Sequence, residues 1–85
     1  MKVYTISFYR TSDAAHMSVQ FRALQLTKQA VVNALKKNSK AINTWLLFGD
    51  ANMVISSVST GVVVAEGRYE YNVFASCGGY DIKFI

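Results

Sequence analysis

Among the side chains of this 85-residue sequence that can do nucleophilic or acid–base chemistry are a single histidine, His16, a single cysteine, Cys77, and the carboxylates Asp13, Asp50, Glu66, Glu70 and Asp81. A Cys77–His16 pair would be a thiolate nucleophile, which requires the imidazole beside the sulfur and a third group to orient it. Asp13 is the only acid close to His16 in sequence. Cys77 precedes Gly78 and Gly79 on a segment that reads as an inward strand face, where a cysteine packs as a small apolar residue. Zinc requires about three or four Cys, His or carboxylate ligands brought together, and one His with one Cys is a poor start. Glu66 and Glu70 fall at a turn and on a solvent face, not as a paired acid and base. There is no glycine-rich phosphate loop, nucleophile elbow or dinucleotide fingerprint. The expectation is a non-catalytic protein without metal or cofactor.

The side chains that stand out instead are suited to binding. Arg22, Lys28, Lys36, Lys37 and Lys40 lie in the stretch from Ala14 to Gly49, which contains no acid, so the net charge of +4 belongs mainly to the middle of the chain. Such a cluster can follow nucleic-acid phosphates or meet an acidic protein surface, or it can simply solubilise a helix and complement its C-terminal dipole. Lysine in place of Arg, Asn and Gln weakens the case for reading base edges. A second candidate is an apolar set, Phe74, Val63 and Ile85, expected among Arg68, Glu70, Asn72, Asp81 and Lys83 on an outer sheet face. An aromatic with aliphatic neighbours and a charged rim has the composition of an interface core. Tyr69, Tyr71 and Tyr80 fall on the opposite, inward face and are not read as a base-stacking platform.

These residues need elements to hold them. Lys2 to Arg10 alternates as a strand with Tyr4, Ile6 and Phe8 on one face, and Met17, Val19, Phe21 and Ala23 give a second strand in preference to a helix. From Lys28 to Lys40 the period becomes helical, with Ala30, Val31, Ala34, Leu35 and Ile42 along one side, Thr27 as N-cap and lysines in the last turns. Thr44 to Phe48 and Met53 to Ser59 read as short strands. The rest reads as a three-stranded meander, Val62 to Ala65, Arg68 to Cys77 and Tyr80 to Ile85, turning at Glu66–Gly67 and at Gly78–Gly79. The second turn pairs Cys77 with Tyr80, Ala75 with Ile82 and Val73 with Phe84. The expected architecture is α+β, one amphipathic helix on a mainly antiparallel sheet, in the order β-β-α-β-β-β-β-β, within a single domain over 1–85.

With 52% hydrophobic and 16% charged residues the chain is far from a disordered composition. A chain this short buries only roughly 60 to 65% of its unfolded surface, so some apolar surface should be left for a partner or a second copy of the chain, a homodimer. The longest apolar runs fall well short of a membrane span, the amino terminus lacks a signal-peptide pattern, and a lone cysteine does not fit a secreted disulfide scaffold. No membrane and a cytoplasmic location are expected. The plan, one helix on an antiparallel sheet with no chemistry, resembles that of small phage and mobile-element proteins, some anti-CRISPR inhibitors among them. That resemblance implies an inhibitor or adaptor that occupies a host protein surface. Nucleic-acid binding through the basic helix is the alternative, and a Cys77-dependent enzyme the third.

Overall fold

The computed structural model describes residues 1–47, 49–70 and 79–85. Five strands form one antiparallel sheet: β1 (Lys2–Arg10), β2 (His16–Ala23), β3 (Asp50–Ser57), β4 (Val63–Glu70) and β5 (Gly79–Phe84), ordered β2-β1-β3-β4-β5. Two helices, α1 (Lys28–Lys37) and α2 (Ser39–Leu46), connect β2 to β3. Because β1 is antiparallel to both its neighbours, β2 and β3 run the same way with β1 between them. A crossover between parallel strands needs a dozen or more residues, which the helices supply.

Period-two alternation decides what each strand buries. Tyr4, Ile6 and Phe8 of β1, Ala51, Met53 and Ile55 of β3, and Ala65 and Tyr69 of β4 turn to the helical side and join Val31, Ala34, Leu35, Ile42 and Leu46 in one core. Phe8 is fully buried at its centre, with the rings of Trp45 and Tyr69 packed edge-on at 6.5 and 6.0 Å. Edge-to-face geometry suits the aromatic quadrupole. The buried Tyr69 hydroxyl donates to Asn43 Oδ1 at 3.0 Å, which ties α2 to β4. Met17, Val19 and Phe21 of β2 lie partly buried at the margin of this core, Phe21 stacked on Tyr4.

The first two strands and the helix start are as the alternation and the Thr27 cap imply: Thr27 accepts from the Ala30 N–H at 3.1 Å. Three expectations are corrected. The single helix is two, broken at Asn38, whose side chain donates to the Ala34 carbonyl. The expected strand over Thr44 to Phe48 is the end of α2 as far as Leu46: Ile42 and Leu46, four residues apart, bury one helical face, and left-handed Leu47 ends it. Of the apolar run, Leu46 belongs to that buried stripe, Trp45 lies at its side and Leu47 is exposed, while Phe48 lies outside the described residues.

The third correction concerns the meander, which is displaced. Glu66 and Gly67 are not a turn but lie inside β4, and Gly79 is not a turn residue but opens β5 opposite Glu70. Tyr80 therefore faces Tyr69, Ile82 faces Gly67 and Phe84 faces Ala65; Cys77, Ala75 and Val73, expected opposite them, lie outside the described residues. Both registers set small or apolar residues against the same β5 face, so hydrophobic matching alone could not choose between them. Among the described residues five strands stand where seven are expected over the whole chain. A β-bulge at Ile55/Ser56 resets the face at the start of β4: Val64 packs on the core while Val62, expected inward, is exposed. Phe84, also expected inward, is 41% exposed on the edge strand.

Gly67 is explained by close approach and not by turning. A Cβ there would lie 1.9 Å from the Asp81 carbonyl oxygen of the neighbouring strand. Gly67→Ala must therefore push β5 away from β4, and is expected to lower stability by roughly 1–3 kcal/mol, read as a shift of the denaturant midpoint.

Candidate functional site

The helical layer presents the basic residues that the sequence singles out. Lys28 opens α1, Lys36 and Lys37 close it, and Lys40 lies in the first turn of α2; all are exposed, as is Arg22 on β2. Lys37 and Lys40 come together at the helix junction, where they line a shallow groove with Asn38, Ala41, Thr44 and Trp45. Lys28 is at the other end of α1, and Arg22 points from the opposite sheet face, alternating with the inward Phe21 and Ala23. Lys37 and Lys40 are thus brought together by the fold, with Lys36 next to them on the last turn of α1, whereas Arg22 is not part of that group.

A cation that sequence patterning does not single out sits next to the groove. The Arg10 guanidinium lies 5.1 Å from the centre of the Trp45 ring and donates to the Trp45 carbonyl. It also grips Asp13 with two hydrogen bonds, Nε to Oδ1 at 2.9 Å and Nη2 to Oδ2 at 2.6 Å. The signal was available in the sequence only as Arg10 and Asp13 three residues apart around a turn; that Trp45 would lie against them depends on the helix-to-sheet packing. Asp13, the one acid near His16 in sequence, is therefore committed to Arg10. His16 is the first residue of β2 and lies beside Tyr9, ring centres 5.0 Å apart.

The sheet face away from the helices carries the remaining acids. Asp50, Glu66, Glu70 and Asp81 alternate with the inward residues of β3, β4 and β5. Asp50 accepts from Thr11 and from Arg68, and Arg68 also reaches Glu70 at 3.5 Å. These contacts hold the Asp50 carboxyl below its ordinary value, Thr11 contributing most and Arg68 next. Glu66 faces Lys83 across β4 and β5. The ion pairs among the described residues use Arg10 or Arg68 and none of the helix lysines. Charge is accordingly divided: paired and mixed on the open sheet face, cationic and unpaired on the helical layer.

Of the apolar candidates, Val63 is 40% and Ile85 78% exposed. They adjoin Val62 and Phe84 where β4 begins and β5 ends, the Ile85 N–H donating to the Val64 carbonyl. Their setting is a corner of the sheet and not the middle of an outer face. Phe74 lies outside the described residues, as does Cys77. Among the described residues no group of His, Cys, Asp and Glu is arranged to hold a metal ion, and no helix is long and apolar enough to cross a membrane. No family model, curated protein or solved structure matches this chain.

The Arg10–Asp13 pair makes a pH prediction. Hydrogen bonds from Arg10 first, and then from the Ala15 N–H, hold the Asp13 carboxyl down to about 2. A carboxyl whose folded pKa lies below its unfolded value of roughly 3.9 contributes stability that is complete above that value and lost as pH falls through the folded one. Asp13→Asn should therefore be less stable than wild type near neutral pH. In acid titrations followed by circular dichroism the difference should close between about pH 4 and pH 2.

Proposed function

We propose that this chain is a non-catalytic interaction protein whose cationic helical layer docks on an acidic surface of a protein partner. One observation carries the reading: Lys28, Lys36, Lys37 and Lys40 are exposed, and none enters an ion pair among the described residues, while the acids are engaged or sit on the other face of the sheet. Unpaired cations in a patch raise association rates and select partners of opposite charge more than they add affinity. The groove at the helix junction, with Trp45 half-buried between Lys37, Lys40 and Arg10, supplies the apolar anchor that such a patch needs. An inhibitor or adaptor that covers a host protein surface, as the resemblance to small phage and mobile-element proteins implies, is the form this activity takes.

Nucleic acid is the competing polyanion. Against it stand the dominance of lysine and the Arg10 guanidinium over the Trp45 ring, which takes the place a stacked base would need. A tagged pull-down from the native host, run with and without nuclease, separates the two: a protein retained after nuclease treatment supports the reading, and capture that vanishes with the nucleic acid transfers it to the alternative. Once the partner is in hand, the triple variant Lys36→Glu, Lys37→Glu, Lys40→Glu should weaken its binding at least about tenfold. Wild-type affinity should fall with added salt. Folding stability should change by no more than about 1 kcal/mol per lysine, the scale of a helix-terminus charge effect. Undiminished binding by the triple variant would remove the helical layer from the interface.

A further inference from the structure

We propose that the free edge of β2 pairs antiparallel with the β2 edge of a second copy, extending the sheet across a two-fold axis at Val19. The directions of the backbone groups follow from two bonds. The Arg10 N–H donates to the Ala15 carbonyl on the β2 side, and the Val58 N–H donates to the Val3 carbonyl on the β3 side. Even-numbered residues of β1 therefore bond to β2, and odd-numbered ones to β3. Carried through the β1–β2 register, this makes Met17, Val19 and Phe21 the β2 residues that bond inward. The N–H and C=O groups of His16, Ser18, Gln20 and Arg22 point out of the sheet edge.

Nothing in β2 blunts that edge. It is eight residues long, free of proline, and paired to β1 without a bulge; its only fixed charge is Arg22. Natural edges are ordinarily protected by charge, proline, a bulge or shortness. The opposite edge, β5, is six residues long and carries Asp81 and Lys83. A second copy fits β2 in one register. Inward residues must oppose inward residues for both helical layers to lie on the same side. Among the registers that obey this, the one centred on Val19 engages all the outward backbone groups, setting His16 against Arg22 of the other copy and Ser18 against Gln20. It also sets Met17 against Phe21 and Val19 against Val19, in the closer, non-hydrogen-bonded positions. The half-buried margin of the core is thereby continued into the other copy's margin. No like charges face each other, because Arg22 meets His16 and not its own counterpart. The contact is isologous and closes as a dimer.

This surface is separate from the helical lysines, and salt tells the two apart. Two copies of net charge +4 repel at long range, so added salt should tighten the dimer, whereas it weakens docking on an acidic partner. Sedimentation of the full-length chain should show a concentration-dependent monomer–dimer equilibrium. In a Cys77→Ala background, Val19→Cys should cross-link to a disulfide dimer under mild oxidation, since opposed non-hydrogen-bonded positions bring Cβ atoms to about 4.5–5.5 Å. Asn33→Cys, exposed on α1, is the control and should stay monomeric. Ser18→Pro removes only an outward N–H, so it should keep the monomer's circular dichroism and abolish the dimer. Should the proline variant misfold, the surface pair Ser18→Glu with Gln20→Glu sets carboxylates against each other across the axis and should weaken association at least about tenfold. A wild-type chain that stays monomeric at its highest soluble concentration, or a Val19→Cys chain that cross-links no faster than Asn33→Cys, would overturn the proposal.

Discussion

The packing of Phe8 against one element from the middle of the chain and one from its carboxy-terminal half is what the rest of the molecule depends on. Its ring lies on β1 and meets Trp45 of α2 and Tyr69 of β4, so one residue joins the amino-terminal hairpin, the helical layer and the carboxy-terminal strands. Among the described residues the helices cover one sheet face, and the alternation of β1, β3 and β4 assigns that face to Tyr4, Ile6, Phe8, Met53, Ile55 and Tyr69. Burying a large apolar side chain is worth about 1.5–3 kcal/mol. That scale explains why α2 lies across this row while the opposite face keeps its hydroxyls, amides and charges.

Covering one face has electrostatic consequences. Acids on β3, β4 and β5 alternate with buried residues and must point away from the helices, where Arg68 and Lys83 lie beside them. The helices carry lysines and no acid. A folded molecule with separated cationic and mixed faces follows from the alternation of strands and the composition of the helices. Arg10 is the exception: it reaches from the end of β1 to Trp45 and Asp13 and couples the first turn to the helix junction.

Much of this was legible from local pattern. Tyr4, Ile6 and Phe8 alternate without interruption, Met17 to Ala23 keeps the same period, and Thr27 followed by helical spacing announces α1; in each case neighbouring residues report on one another. Where several long-range partners satisfy the same local pattern, the sequence does not choose among them. Tyr80, Ile82 and Phe84 accept either Cys77, Ala75 and Val73 or Tyr69, Gly67 and Ala65 opposite them, and it is the second set that pairs with them across β4 and β5. Trp45 to Phe48 is apolar whether it forms a strand or ends a helix. For the candidate surfaces, the basic residues were legible as a charge cluster, but the meeting of Arg10 with Trp45 and the corner formed by Val62, Val63, Phe84 and Ile85 were not.

The sequence by itself determined the α+β class, the inward faces of β1 and β2, the cap and cationic character of α1, and the absence of acid from the chain's middle. All of these are set by residues within a few positions of one another. Tertiary structure alone decided that Gly67 lies inside a strand against the Asp81 carbonyl, that α2 replaces an expected strand, and that among the described residues β2 is an edge strand with Met17, Val19 and Phe21 at its margin. The reason is that strand order and register are properties of pairs of distant segments. A five-residue run states which of its faces is apolar, and only the completed sheet states what that face meets.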